Sequence, residues 1–304
     1  MHKDNKFEII SFYEFINLSN IEQLKFIFFK FLKQKNFRGT IIIANEGLNG
    51  TISCNNGKAD EFYSFSEEVL KKKIKFKKQY HSSHPFLRLK IKVKEEIVKM
   101  GEKNIFPIKN TGNYLSPSEW DEFISDPNVI NIDTRNIYES EIGTFKNSLL
   151  TNTKNFTQFP DWFKKNKKKI KEKKIAMFCT GGVRCEKASS YLIKNGFKNV
   201  FQLNGGIISY LEQTKNKNKK WVGECFVFDE RVAVKDNLSK GQYDQCFACR
   251  AAISEKDKKS NSYKKGVFCP KCKNQTSLDK KKGFEERNKQ IFLAKKKGIT
   301  HLGS

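Results

Sequence analysis

The stretch Lys174–Lys187, KIAMFCTGGVRCEK, decides how the rest of the chain is read. Ile175, Ala176, Met177 and Phe178 form an apolar run without polar alternation, which predicts a buried strand of a parallel sheet. Cys179 stands where that strand ends, and Gly181 and Gly182 permit a tight turn with unusual backbone angles. A helical pattern begins at about Arg184, runs through CEKASSYLIKNG and stops at Gly196 in the C-terminal glycine position. Thr180, Gly181, Gly182 and Val183 therefore form a loop of successive backbone N–H groups opening onto a helix N-terminus, which is an anion nest. A cysteine at the floor of such a nest holds its charge as thiolate, and a persulfide on it is stabilised likewise. Arg184 adds a cation at the rim, so Cys179 and Arg184 are the candidate catalytic residues. Cys185, in the first helical turn, is a supporting or resolving thiol whose side chain need not face the pocket. The bland alternative for Cys179 is a small buried cysteine at a strand end. A phosphatase loop is the nearest rival, but its cysteine–arginine spacing is one residue longer than the four residues found here.

Outward from this loop the chain alternates strands and helices. Ser116-Pro117 reads as a helix cap with proline at the first helical position, and Trp120 to Ile124 as the helix. Val129 to Ile132 reads as a buried strand ending in Asp133-Thr134-Arg135-Asn136. A short strand NSLL and the helix FPDWFKKNKKK follow. Asn199 to Leu203 is the last strand, and Gly205-Gly206 lead into IISYLEQ. Such alternation predicts a parallel sheet covered on both faces. Its reactive site lies at the carboxyl ends of the strands, where Asp133 and Cys179 both fall. Asp133 and Arg135 are expected to shape the pocket.

Upstream, residues 7–100 read strand, helix, strand, strand, helix, strand, with PFLRLKIKV as the last strand. That order predicts a ferredoxin-like α+β sandwich. The turn at Asn45, Glu46 and Gly47, with Asn49 and Gly50, is open between plain turn chemistry and a nucleotide-contacting loop. The run Lys71–Lys78, KKKIKFKK, is either the solvated end of an element or a phosphate-backbone contact. His81 and His84 have no carboxylate at metal-ligand spacing and read as surface or packing histidines. Residues 101–115 look like a linker.

Downstream, Cys246-x2-Cys249 and Cys269-x2-Cys272 stand nineteen residues apart, the four-cysteine pattern of two zinc knuckles. Phe247, Phe268 and Pro270 suit such turns, and two independent thiol pairs are the alternative reading. The tail Lys280 to Lys297 reads as a helix with a solvated basic face. Three units result: a ferredoxin-like (acylphosphatase-like) domain over 1–105, an α/β parallel-sheet domain over 112–220, and a small Cys-rich segment over 221–304.

Lys plus Arg total 59 against 33 Asp plus Glu, a formal charge of +26 that implies a polyanionic partner, nucleic acid before membrane. Arginine occupies only seven of the basic positions, so each surviving arginine points to a need for its planar fork. Met1 to Glu8 carries no signal-peptide core, and the best apolar run, Phe26 to Leu32, is broken by Lys30. The chain therefore reads as cytoplasmic, and its Cys-x-x-Cys pairs as metal or redox sites rather than disulfides. No flavin or NAD fingerprint appears, and no two-histidine, one-carboxylate iron site.

At this point a resemblance is specific. CTGGVR, IDTRNIYESEIGTF upstream and QLNGGIISYL downstream resemble a rhodanese domain. With GTIIIANEGLNGTIS, HPFLRLKIKVKEEIV, GECFVFDERVAV and GQYDQCFACR, the chain from Phe7 to about Cys272 resembles the rhodanese-domain tRNA wobble-uridine hydroxylases. A local departure is NSLLTNTKNF, where the family has a small residue and a proline. The resemblance implies oxygen-dependent formation of 5-hydroxyuridine at position 34, Cys179 as the catalytic residue, molecular oxygen as co-substrate and tRNA as partner. No DNA or membrane partner is expected. Two other readings stand beside it: a sulfurtransferase carrying a persulfide on Cys179, and a non-catalytic RNA-binding module.

Overall fold

A computed structural model describes residues 6–214 and 220–298. Residues 1–5, which make up most of the stretch read as lacking a signal-peptide core, and the end of the third unit, 299–304, lie outside the described residues.

The first domain runs β1 (Phe7–Phe15), α1 (Ile21–Gln34), β2 (Arg38–Ala44), β3 (Gly47–Asn55), α2 (Ala59–Leu70), β4 (Phe76–His81) and β5 (Leu89–Val93). Its sheet has the order β4-β1-β3-β2-β5, with β5 parallel to β2 and the other pairs antiparallel. The first four strands and two helices make the ferredoxin-like sandwich. Its last strand is β4, inside the lysine run, and PFLRLKIKV supplies an additional edge strand. Phe76 explains the difference: its ring packs against Phe12, Phe62 and Tyr63, so a single aromatic anchors a strand that lysines otherwise disguise. Side chains alternate across the pleat, so Phe12 and Phe76 point to the helices, while Ser11, Tyr13 and Lys77 line a cleft on the other face.

The second domain runs β6 (Asn113–Leu115), α3 (Pro117–Phe123), β7 (Val129–Asp133), α4 (Ile137–Ser140), β8 (Gly143–Phe145), β9 (Leu149–Leu150), α5 (Phe159–Ile170), β10 (Lys174–Phe178), α6 (Val183–Lys194), β11 (Val200–Leu203) and α7 (Gly206–Gln213). The order is β6-β11-β10-β7-β9, parallel throughout. Ile175 and Met177 pack with Phe159, Phe163 and Leu192 on one face, and Ala176 and Phe178 with Trp120, Ile207 and Tyr210 on the other. Burial on both faces is why the KIAMF run lacks alternation. The stretch read as a linker is partly built in: Met100 and Ile105 join the first of these clusters, and Asn113–Leu115 forms the edge strand.

The chain then adds β12 (Trp221–Gly223), which pairs with β8, and the hairpin β13 (Cys225–Phe226) with β14 (Ala233–Val234). Trp221, Cys225, Val227 and Val234 enter the same core as Phe178, so residues 221–234 are physically part of the parallel-sheet body. The Cys-rich unit proper holds β15 (Asp244–Gln245), β16 (Ala252–Ile253), α8 (Glu255–Lys258) and the long basic α9 (Leu278–Lys296). Among the described residues no helix is long and apolar enough to cross a membrane.

Candidate active site and candidate metal centre

Parallel pairing of β10 with β7 and β11 brings the carboxyl ends of three strands together, and Cys179 follows directly on β10, 1% exposed. The first turn of α7 pins the loop from behind: Ile207 N donates to the Cys179 carbonyl at 3.0 Å and Ile208 N to that of Thr180 at 3.1 Å. Gly182 N donates to Cys179 Sγ at 3.1 Å. Gly182 has φ +108°, and a Cβ there would lie 2.7 Å from the Tyr13 hydroxyl, so both backbone and packing demand glycine. Burial opposes charge on Cys179. The Cys185 thiol, the Arg184 guanidinium and the N–H groups of Cys185 and Gly182 outweigh it and bring the thiol well below its ordinary range. Burial and the neighbouring Cys179 push Cys185 the other way, so it stays a protonated donor, with Thr134 Oγ1 3.6 Å from its sulfur. The side chain of Cys185 thus faces Cys179, an orientation the helix position left open.

Arg184 lines the cleft beside Cys179 as a cation tied to a carboxylate. It is buried, and its guanidinium grips Glu139 of α4 at 2.6 and 2.7 Å, with the Phe228 ring 6.0 Å away. Thr180 Oγ1 donates to the same carboxylate at 3.3 Å. Val183 closes the loop against Phe15, Ala44 and Ile97 of the upstream chain.

Asp133 and Arg135 do not line the cleft. Arg135 donates to Asp133 through Nε at 2.9 Å and Nη2 at 2.6 Å, and to the Gly143 carbonyl at 2.6 Å. Thr144 completes Asp133, and the guanidinium lies over Phe178 and Trp221. Two ions this buried need each other, so they turn inward and brace the strand ends instead of shaping the pocket.

The first domain supplies residues that local sequence pattern does not reveal. A cleft of about 1640 Å3 lies between the domains, lined by Cys179, Tyr13, Lys77, Tyr114, Glu186 and Phe228 among others. Buried Glu186 receives the hydroxyls of Tyr13 and Tyr114 at 2.9 Å, the Thr111 hydroxyl at 2.9 Å and the Gln202 amide at 3.2 Å. Lys187, on the next position of α6, joins Glu46 at 2.8 Å and Glu96 at 2.5 Å. In the Asn45–Gly50 turn Glu46 alone docks onto the second domain, while Asn49 bonds the Ile97 carbonyl and Asn45 that of Leu18 within the first domain, and Asn45, Asn49 and Gly50 line the cleft. From the Lys71–Lys78 run, Lys72, Lys75 and Lys77 line the cleft, whereas the lysine-rich helix α5 stands outside its lining. Only Glu139 left a local signal, the Asn136-x-x-Glu139 pattern of a helix start. His84 packs on Phe7 and bonds Ser53 at 2.7 Å, as a packing histidine does.

Cys246, Cys249, Cys269 and Cys272 converge, all four sulfurs within 4.8 Å of one another. Three edges of the group measure 3.9 Å (Cys246–Cys272), 3.7 Å (Cys249–Cys269) and 3.8 Å (Cys269–Cys272). A tetrahedral ion with metal–sulfur bonds of about 2.3 Å needs edges of about 3.8 Å. The four residues fit a metal ion of that kind.

The fold and site together define a rhodanese-like thiolate centre covered by an acylphosphatase-like domain. Residues 7–97 match the family described as UPF0176 acylphosphatase like domain, and residues 116–213 the rhodanese-like domain, a combination consistent with the UPF0176 family. Among solved structures the chain is similar to a rhodanese-like domain from Anabaena sp, at 16% identity over 37% of this chain and 80% of that one, TM-score 0.30. It is also similar to a rhodanese-related protein from Thermoplasma volcanium, at 24% identity over 33% and 92%, TM-score 0.28. A third is a Rhodopseudomonas palustris protein described as a possible tyrosine phosphatase, at 19% identity over 34% and 82%, TM-score 0.29.

Proposed function

We propose that this protein is a tRNA-modifying oxidoreductase that hydroxylates the wobble uridine at C5, with molecular oxygen as co-substrate and Cys179 as nucleophile. The observation that carries the reading is the charge-stabilised Cys179 at the floor of an interdomain cleft with basic and aromatic walls. Single-stranded RNA is held by stacking on aromatic rings and by cations along its backbone. The cleft offers Phe228, 60% exposed, the half-exposed ring of Tyr114, and Lys75 and Lys94, which have no ion pair among the described residues. In the reaction the thiolate adds to C6 of uracil and leaves an electron pair at C5. C5 then takes one oxygen atom from O2, and the other leaves as water with two electrons and two protons from an external thiol reductant. Loss of the C5 proton and of the thiolate yields 5-hydroxyuridine, and the loop N–H groups receive the returning charge. The four-cysteine cluster holds a structural zinc in this reading.

A second reading, sulfurtransfer, is favoured by the Gly182 N–H aimed at Sγ, a donor that also suits a persulfide. Nucleoside mass spectrometry of tRNA from a strain lacking the gene separates the readings. Loss of a uridine heavier by one oxygen is expected, loss of a thiolated base would favour sulfurtransfer, and unchanged tRNA would leave a binding module.

A further inference from the structure

The Gly181–Gly182 peptide is held at both ends by partners from different domains. Its N–H donates to Cys179 Sγ at 3.1 Å, and its carbonyl oxygen accepts from Lys77 Nζ of β4 at 2.6 Å. Lys77 also donates to the Gly205 carbonyl, directly before the α7 turn that pins the Cys179 and Thr180 carbonyls. We propose that Lys77 is a positioning residue for Cys179: docking of the first domain orients and polarises the Gly181–Gly182 peptide, one of those whose N–H holds the thiolate.

Three observations support this. Tyr13 packs against the Gly182 end of this peptide and Gly206 against the Gly181 carbonyl carbon, and among the described residues the one hydrogen-bond donor on its carbonyl oxygen is Lys77. A donor on a carbonyl oxygen strengthens the N–H of the same peptide as a donor, because hydrogen-bonded amides polarise one another. Lys77 is half-buried and forms no ion pair with a carboxylate among the described residues, so its charge is balanced at longer range, by Cys179 first and then by Glu212 and Glu186. Burial lowers Lys77 to about 8, while Cys179, then Glu212 and Glu186, pull it upward.

Other ionisable groups bear on Cys179 from each packed element, and all stay in place when Lys77 is changed. From α6 come Arg184 and Cys185, with Glu186 acting on Tyr13 and Lys77, and from α4 comes Glu139 through Arg184. From β1 comes Tyr13, and from β13 comes Cys225. Neither RNA nor oxygen enters this effect, so it is separable from the hydroxylase reading.

The test is the ultraviolet thiolate absorbance of the full-length protein against pH, taken as the difference from a Cys179→Ser protein. Lys77→Met is expected to raise the midpoint by about one pH unit, as loss of a nearby cation does. Lys77→Arg, which keeps two charged donors, is expected to recover most of the shift, and Lys30→Met, on the exposed face of α1 outside the cleft lining, to leave the midpoint unchanged. Lys77→Gln, which keeps a neutral donor, serves if the methionine protein does not fold, and is expected to shift in the same direction. A folded Lys77→Met or Lys77→Gln protein that titrates with the wild type overturns the proposal, as does an equal shift in Lys30→Met.

Discussion

Arg184 and Glu139 meet two-on-two beside Cys179, Nη1 2.6 Å from Oε2 and Nη2 2.7 Å from Oε1, although 44 residues lie between them in the chain. The arginine fork is thus spent on a carboxylate, and the pair carries the loop charge inward. Both groups are buried, so removing one leaves the other uncompensated. Arg184→Met is expected to lower stability by about 3 kcal/mol, with Arg184→Lys intermediate because it keeps the charge and loses one arm. Urea denaturation measures this, and a midpoint equal to wild type in Arg184→Met would contradict it.

Cys179→Ser is expected to abolish wobble-uridine hydroxylation and to leave tRNA affinity within a few-fold, since serine keeps the size without the nucleophile. Cys185→Ser is expected to lose less, because the serine hydroxyl still offers Cys179 a donor and the nucleophile itself remains. Complementation followed by nucleoside mass spectrometry decides. An active Cys179→Ser protein would move the chemistry elsewhere.

The charge on Cys179 also sets a pH dependence. Its folded pKa lies below the ordinary value of 9.0, so the thiolate contributes stability that is fully present above 9.0 and lost as pH falls through the lowered value. The stability gap between wild type and Cys179→Ser is therefore expected to widen as pH rises toward 9.0. Urea midpoints at a series of pH values give the gap, and a flat line would mean a neutral thiol.

One zinc per chain is expected on elemental analysis of the purified protein. Chelation should unfold residues 244–277 and leave the two α/β domains intact, because Cys246, Cys269 and Cys272 form nearly all of that unit's small core. Hydrogen exchange with and without chelator reads the segment directly. Protection that survives metal removal would rule out a structural ion.

Binding to tRNA is expected to weaken steeply with salt, and the cleft lysines should carry more of it than α5. Each single-strand phosphate contact contributes a slope of about 0.7, so Lys75→Glu with Lys94→Glu should reduce the slope by about 1.4. Charge reversal at Lys165, Lys168 and Lys169 of α5 should reduce it less, since that helix is outside the cleft lining. Equal effects from both sets would point to charge alone.

Much of the second domain is legible in the amino-acid sequence. An apolar strand, a cysteine, two glycines and a helix start are local features, and local pattern specifies them. The four cysteines are similar: two short pairs can close a tetrahedron wherever the intervening hairpin goes, and they do. The lysine-rich β4 is harder, because one aromatic in a charged run gives almost no periodic signal until the ring it packs against is known.

The fold class, the thiolate loop and the metal-binding spacing follow from the order of residues alone, because each depends on neighbours a few positions away. Which charges serve the site is settled by tertiary packing. Packing turns Asp133 and Arg135 onto each other, gives Arg184 to Glu139, and brings Tyr13 and Lys77 across a domain boundary to Glu186 and the Gly181 carbonyl. Buried polar groups must find partners wherever packing places them, and those partners lie up to 173 residues apart in this chain.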